Sequence, residues 1–266
     1  MNKTTNSLQN PTIYKWLALV IVLAAFGLRM WQLDGIPPGW RDDELINSLV
    51  ISQHALDGEL AVYYADASGH EALYHLLNAV MLGLFGPNIV GIRVLSVFLG
   101  TLTVALTYQV GRRLFSQHVG LIAAAGLAFS FWSLMYSRIG LRHILTPPLL
   151  LLTIYFFWKG IGGKGQRAEG REIAFYLVPP TSYLIFAGIF MSLGMYTYFA
   201  SRGVPLILAA FCGFLVVVDW ARFKRHWVGL VMMLGVTAVL SLPIFITLSQ
   251  QPESAARVSE LAVPVV

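Results

Sequence analysis

Seven apolar runs dominate the amino-acid sequence, and each is close to the roughly 20 residues that a helix needs to cross a membrane. Of the 266 residues, 57% are hydrophobic and 12% are charged, whereas a soluble domain carries about 25% charged residues. The sequence therefore predicts an all-α fold, a polytopic transmembrane helical bundle that forms a single domain over residues 1–266. The predicted spans are Ile13–Leu33, Ile89–Leu114, Val119–Tyr136, His143–Trp158, Thr181–Phe199, Val204–Trp220 and Trp227–Leu248.

The basic residues of the short loops indicate how this bundle is oriented. With a cytoplasmic N-terminus, 11 of the 18 Lys and Arg residues lie inside and 10 of the 13 acidic residues lie outside. Because cytoplasmic loops are enriched in Lys and Arg, we expect a multi-pass protein of the plasma membrane with its N-terminus in the cytoplasm. The resulting loops are an external loop over 34–87, a cytoplasmic loop over 159–175 and an external C-terminal stretch over 249–266.

The external loop 34–87 is acid-rich and is predicted to be structured. Within it, residues 43–56 and 68–85 place apolar side chains at helical spacing, as in Leu45, Leu49 and Leu56. Both stretches are short and amphipathic, which favours two helices lying at the membrane surface. A second transmembrane span at 68–85 would invert every later loop and put Arg112 and Arg113 outside, so the charge rule favours the surface helix.

Charged side chains collect at four places on the predicted outer face. A carboxylate there can act as general base toward an acceptor, and arginines can hold a phosphate through forked hydrogen bonds. A lipid-linked sugar phosphate requires both groups. The residues of the four places are Asp42, Asp43 and Glu44, then His70 and Glu71, then Arg138, Arg142 and His143, and finally Arg202 with Tyr196 and Tyr198.

Simpler roles remain open for several of these side chains. Arg138 and Arg142 could extend to lipid headgroups, and the acids from Asp42 to Glu44 could stabilise the first turn of a helix. Arg93 could pair with a phospholipid or with an acid of the loop. The joint arrangement of the groups, rather than any single residue, favours a site.

Several motifs occur in an order that resembles the GT-C superfamily of polyprenyl-phosphate-sugar-dependent glycosyltransferases. The likeness is greatest to the bacterial branch related to protein O-mannosyltransferases and to the aminoarabinose transferase of lipid A. Ala72 stands where that family usually has a proline. The motifs are Leu28-Arg29, Pro37-Pro38, Asp43-Glu44 with Gly58, Gly69-His70-Glu71-Ala72-Leu73-Tyr74, Leu84-Phe85-Gly86, Ile92-Arg93-Val94 with Gly100, Gly111-Arg112, Tyr136-Ser137-Arg138 with Arg142, and Gly194-Met195-Tyr196-Thr197-Tyr198 with Arg202 and Pro205.

The resemblance implies a reaction and a role for each candidate residue. It implies transfer of a hexosyl or pentosyl group from a polyprenyl-phosphate donor to a glycolipid or protein acceptor at the outer face. Asp43 is then the general base, and Glu44 supports it as a second catalytic acid. Arg138, Arg142 and Arg202 are the implied ligands of the donor phosphate, and His70, Glu71, His143 and Tyr198 are implied to contact substrate.

Other functions and cofactors are weighed against this interpretation. No cofactor is certain; His70 and Glu71 are two candidate ligands for a divalent metal, which is too few to define a metal site. The basic residues lie in short clusters between apolar runs, which indicates contact with membrane lipids and not with nucleic acid. A transporter or flippase is the alternative, although ionisable residues are rare at mid-span. Relatives in the family have more spans, so a truncated, non-catalytic paralogue is a further alternative.

Overall fold

A computed structural model describes residues 11–162 and 179–250. Two short strands, β1 (Tyr63–Tyr64) and β2 (His70–Glu71), form an antiparallel pair, and all other regular structure in these ranges is helical. The helices are α1 (Pro11–Met30), α2 (Asp42–Leu45), α3 (Ser52–Leu56), α4 (Ala72–Phe85), α5 (Ile89–Leu114), α6 (Gln117–Phe129), α7 (Phe131–Tyr136), α8 (Thr146–Ile161), α9 (Pro180–Met195), α10 (Val204–Val218) and α11 (Trp220–Ser249).

The predicted all-α membrane bundle is confirmed, and each predicted span is helical over most of its length. Within the described ranges, five helical segments are long and apolar enough to cross a membrane. The predicted span Val119–Tyr136 is divided into α6 and α7 because the backbone at Ser130 is extended. Proline lies in the first turn of α8, where its missing N–H would have no helical partner in any case. The remaining predicted span corresponds to α9, which has 16 residues.

Both surface helices predicted in the loop 34–87 are present. The first runs from Asp42 to Leu56 through α2, a π-helical turn over Ile46–Ile51 and α3. The second is α4, whose 14 residues extend over about 21 Å, too little to span the hydrocarbon core. The strand pair β1–β2 between them was not predicted, because two-residue strands have no periodic pattern.

Each surface helix buries polar side chains together with part of its apolar ones and leaves other apolar side chains exposed. Asn47, Ser48 and Ser52 are buried on the first helix, whereas Leu49 is exposed. On α4, Asn78 is fully buried, and the exposed side chains include Leu77, Val80, Leu84 and Phe85. This distribution suits helices that pack polar groups against the bundle and turn apolar groups toward lipid.

The long helix α5 lies at the centre of the described bundle and packs against α1, α4, α6 and α8. Four apolar clusters hold the described helices together: one between α1, α5 and α6, one between α4, α5 and α8, one among α8, α9, α10 and α11, and one between the two surface helices and β1. The predicted loop 159–175 lies outside the described residues after Gly162, and the predicted stretch 249–266 lies outside them after Gln250.

Glycines permit the close approach of α5 and α6. A Cβ atom on Gly120 would lie 2.7 Å from the backbone nitrogen of Arg112 and 2.8 Å from the carbonyl oxygen of Tyr108, whereas a Cβ on Gly126 of the same helix would meet nothing within 4 Å. Small residues at such contacts let membrane helices pack backbone to backbone.

We therefore expect Gly120→Ala to lower the free energy of unfolding by about 1–3 kcal/mol, because α5 and α6 must move apart. Gly126→Ala is the matched control and is expected to be neutral or to stabilise by up to about 1 kcal/mol through helix propensity. Thermal unfolding of both variants in detergent measures the difference. Equal melting temperatures would show that the two helices do not pack as described.

Candidate active site

A buried ion pair joins the start of the first surface helix to α5. The Nε and Nη2 atoms of Arg93 donate to the two carboxylate oxygens of Glu44 at 2.8 and 3.0 Å, and neither side chain is more than 2% exposed. Of the two partners open to Arg93 from sequence, the structure therefore selects the acid of the loop. Glu44 also accepts from the backbone N–H of Gly140 at 2.9 Å, so one carboxylate connects three segments.

The guanidinium of Arg93 also organises the chain between α1 and α2. It donates to the carbonyl oxygens of Leu33, Pro37 and Gly39 at 3.3, 2.9 and 2.8 Å. A buried guanidinium requires such complete pairing, because an unpaired buried charge is costly. Glu44 is thus enclosed, while Asp43, the residue before it, is exposed.

Arg138 performs a similar task for the end of α1. Its three guanidinium nitrogens donate to the carbonyl oxygens of Leu28, Trp31, Gln32 and Ile36. These carbonyls lie in the last turn of α1 and the loop beyond it, where helical partners are lacking. Burial, and then the charge of Arg93, lower the pKa of Arg138. In this structure all three guanidinium nitrogens of Arg138 therefore donate to backbone carbonyl oxygens.

Two other predicted arginines meet at Glu71. Arg202 Nη2 donates to Glu71 Oε1 at 2.8 Å, and Arg142 Nη1 lies 3.4 Å from Glu71 Oε2. The side chain of Glu71 is 5% exposed, whereas those of Arg142 and Arg202 are 13% and 25% exposed. The Nε atom of Arg202 is buried and has no hydrogen-bond partner among the described residues. Two cations around one anion leave a net positive charge at this point.

Short polar side chains align the two turns that carry these arginines. Thr146 Oγ1 lies 3.0 Å from Ser201 Oγ and 3.2 Å from Thr197 Oγ1. The start of α4 joins them, because the N–H of Leu73 donates to the carbonyl oxygen of Tyr196 at 3.0 Å. The turns before α4, α8 and α10 are therefore fixed to one another, which explains how residues distant in sequence converge.

An aromatic group borders the arginine pair. The Arg142 guanidinium lies 5.5 Å from the ring centre of Tyr198, and the His143 ring lies 6.0 Å from Tyr198 and 5.0 Å from Tyr136. The carboxylate of Asp43 and the guanidinium of Arg142 are both within electrostatic range of the His143 imidazole. Asp43 is thereby brought to the same region as Arg142, His143 and Tyr198.

A buried polar network lies behind Glu71. His70 Nδ1 is 3.3 Å from His75 Nε2, and the other ring nitrogen of His75 lies 2.9 Å from the carbonyl oxygen of Asn47. His75 is fully buried. Burial, with a smaller contribution from the charge of Arg142, lowers the pKa of His75 to about 4, although the hydrogen bond to the Asn47 carbonyl acts in the opposite direction. The His70 side chain is also buried, because it packs against His75 beside the site.

The residues around Glu71 do not form a metal-binding set. In ranges 11–162 and 179–250, no three His, Cys, Asp or Glu side chains are grouped to hold a metal ion. Arg142 and Arg202 also place positive charge on both sides of Glu71, which repels a divalent cation.

The structure thus brings six of the nine predicted site residues together and sets three apart, one of which is His70, packed against His75. Glu71, Arg142, Arg202, His143 and Tyr198 form one group with Asp43 near its edge, and we call these six residues the outer cluster. Glu44 and Arg138 are instead occupied by internal contacts. The Asn47, Ser52, His75 and Asn78 network was missed, although polar residues at helical spacing on one side of each surface helix were a usable signal.

The Glu44–Arg93 pair predicts a specific pattern of stability. Arg93→Met leaves Glu44 buried without a counter-charge and should lower the free energy of unfolding by about 3–5 kcal/mol. The double variant Glu44→Leu/Arg93→Met should recover part of that loss, and the exposed neighbour Asp42→Asn is the control. Denaturation in detergent measures all three. A double variant no more stable than Arg93→Met would contradict the pairing.

The burial of His75 predicts a loss of stability in acid. The unfolded chain binds a proton at His75 below its ordinary pKa of 6.5, and the folded chain does so only near 4. Unfolding therefore takes up a proton in this window, and about 3 kcal/mol is lost as the pH falls from 6.5 to 4. Comparing the pH slope of unfolding for wild type and His75→Gln isolates this contribution. Identical slopes would contradict it.

Comparison with known proteins relates this geometry to a family. The family model for dolichyl-phosphate-mannose-protein mannosyltransferase matches residues 70–169. A curated relative from Pseudomonas fluorescens, undecaprenyl phosphate-alpha-4-amino-4-deoxy-L-arabinose arabinosyl transferase 2, is 27% identical over 245 residues, covering 89% of this chain and 38% of the relative. The chain therefore spans well under half of that protein.

Solved structures share the fold. The oligosaccharyltransferase of Archaeoglobus fulgidus, tethered to an acceptor peptide, superposes with a TM-score of 0.70 at 17% identity, over 88% of this chain and 30% of that one. The complex of the A. fulgidus enzyme AglB with an inhibitory peptide and a dolichol-phosphate gives 0.64 at 17% identity, over 87% and 29%. The chain is therefore a multi-pass membrane protein that shares its fold with these oligosaccharyltransferases and is similar in sequence, over part of its length, to glycosyltransferases named for polyprenyl-phosphate donors.

Proposed function

We propose that this chain forms the catalytic part of a glycosyltransferase that moves one sugar from a polyprenyl-phosphate donor to a glycolipid or protein acceptor. The reaction takes place at the outer face of the plasma membrane, with the N-terminus in the cytoplasm. The observation that carries the proposal is the outer cluster, in which two arginines, a histidine, a tyrosine, Glu71 and Asp43 converge from four separate segments.

Electrostatics favours a phosphate as the ligand of the two arginines that surround Glu71 within this cluster. Arg142 and Arg202 carry two positive charges and Glu71 neutralises one of them. The Nε–H of Arg202 is a buried donor without a partner in the described ranges, and an unsatisfied buried donor costs about 1–3 kcal/mol. A lipid phosphate supplies the missing acceptor and charge. Glu71 holds both guanidinium groups in position before the donor binds.

The proposed reaction uses the negative charge of Asp43 on the acceptor side and the positive charges of Arg142 and Arg202 on the donor side. The Asp43 carboxylate accepts the proton of the acceptor hydroxyl or amine as the acceptor atom attacks the anomeric carbon. The bond between that carbon and the phosphate oxygen breaks with inversion, and polyprenyl phosphate leaves with the electron pair. Arg142 and Arg202 stabilise the negative charge that develops on the phosphate oxygen. Glu44 acts as a positioning residue, because its bonds to Arg93 and Gly140 fix the helix turn that carries Asp43.

The names of the compared proteins support the donor class. The P. fluorescens relative is named for an undecaprenyl phosphate-linked sugar, and one structural neighbour holds a dolichol-phosphate. Both are polyprenyl phosphates, which we extend to this chain. The sugar, whether a hexose or a pentose, and the acceptor are to be identified by experiment.

Replacing the general base tests the reaction. In the full-length protein, Asp43→Asn should lower transfer from polyprenyl-phosphate sugars by at least about 100-fold, the smallest loss typical of a missing general base. Asp42→Asn, an exposed carboxylate one residue away, is the matched control and should retain activity.

In vitro transfer from a panel of radiolabelled polyprenyl-phosphate sugars, with and without a chelator, provides the measurement. Near-normal turnover of Asp43→Asn would eliminate the base assignment. Absence of transfer by the wild-type protein across the panel, combined with movement of the lipid between leaflets, would support a flippase instead.

A further inference from the structure

A second binding feature lies at the opposite end of the bundle from the outer cluster. A groove of about 310 Å³ runs between α1 and α5. Lys15 and Arg112 line one end of it, at the beginning of α1 and near the end of α5. Arg93 and Arg112 are 19 residues apart on α5, which places them about 28 Å apart along the helix axis. That separation is close to the roughly 30 Å of the hydrocarbon core.

Polar and apolar groups follow one another along the groove in a definite order. The two cations are at its end, and Tyr108 lies one turn deeper on α5, about 6 Å from Arg112 along the axis. Beyond Tyr108 the lining is apolar and includes Ala18, Val22 and Ala105. A phospholipid has the same order from headgroup to tail: a phosphate, then ester carbonyl oxygens, then an acyl chain.

Tyr108 provides an independent sign of a ligand. Its side chain is 5% exposed, and its hydroxyl is buried without a hydrogen-bond partner in the described part of the chain. The Arg112 guanidinium lies 5.5 Å from the centre of the Tyr108 ring, and both residues line the groove. An unsatisfied buried hydroxyl is unfavourable, and an ester carbonyl at this depth would accept its proton.

The positive charge of Lys15 and Arg112 favours one class of lipid headgroup. Neither Lys15 nor Arg112 forms an ion pair with the residues that the structure describes. Two uncompensated cations at a membrane interface attract lipids whose headgroups carry net negative charge. A zwitterionic headgroup carries a cation of its own, which Lys15 and Arg112 repel, so its net electrostatic attraction to the groove is weaker.

We propose that the groove between α1 and α5 binds one anionic phospholipid, with its phosphate between Lys15 and Arg112 and its ester carbonyl at the Tyr108 hydroxyl. The acyl chain lies along Ala18 and Val22. This lipid is neither donor nor acceptor of the proposed reaction, since it binds at the far end of α5. It holds the ends of α1 and α5 together at that membrane surface.

Native mass spectrometry of the full-length protein tests the proposal. The protein is delipidated in detergent and titrated with phosphatidylglycerol or with phosphatidylcholine of the same acyl chains. We expect phosphatidylglycerol to bind at least about 10-fold more tightly, and Lys15→Gln/Arg112→Gln to remove most of this preference, because charge-assisted hydrogen bonds are the stronger kind. Arg222→Gln/Lys224→Gln, which removes two cations outside the groove, should keep it.

A conservative variant covers the case in which the double variant does not fold. Tyr108→Phe retains the ring and removes only the hydroxyl, so it should weaken phosphatidylglycerol binding while leaving the melting temperature of the lipid-free protein within about 2 °C of wild type. Equal binding of the two lipids, an equal loss in the Arg222/Lys224 control, or displacement of the lipid by inorganic phosphate would overturn the proposal. A groove occupied by another segment of the protein, or by a second copy of it in the absence of lipid, would also overturn the proposal.

Discussion

The buried pair of Glu44 and Arg93 is the interaction on which the arrangement of the outer face depends. One carboxylate receives hydrogen bonds from α5 and from the backbone of Gly140, and one guanidinium holds three carbonyls of the segment between α1 and α2. Both charges are removed from water, and the cost is offset only because their hydrogen-bonding groups are paired. Asp43 is positioned by this pair although it does not take part in it.

The arginines at the outer face fall into two groups, which differ in how completely their guanidinium groups are hydrogen-bonded within the protein. Arg93 and Arg138 have guanidinium groups filled by backbone carbonyls or a buried carboxylate, and they connect segments. Arg142 and Arg202 share Glu71 and remain partly exposed. Phosphate recognition requires accessible donors and surplus positive charge. That requirement assigns the proposed donor site to the second pair and leaves the first pair with a structural task.

Much of the fold could be predicted from sequence because its signals are local. Apolar runs gave the spans, and helical spacing gave both surface helices, with bounds within a few residues of those observed. Pairings between distant residues could not be predicted. Nothing near Glu44 in sequence distinguishes Arg93 from Arg138 as its partner. Helical spacing groups the polar residues of each surface helix on one side, but the contact between Asn47 and His75 depends on how the two helices face each other. The sequence could therefore place the four charge clusters at the ends of helices, whereas the contacts of each member are visible only in the structure.

The central claim is that the donor phosphate binds between Arg142 and Arg202 with Asp43 on the acceptor side of the sugar. A structure of the full-length protein with a non-transferable polyprenyl-phosphate sugar analogue tests it most directly. The account predicts phosphate oxygens within hydrogen-bond distance of both guanidinium groups, and the Asp43 carboxylate facing the side of the anomeric carbon opposite the phosphate. A phosphate bound away from both arginines, or an anomeric carbon whose free side faces away from Asp43, would contradict it.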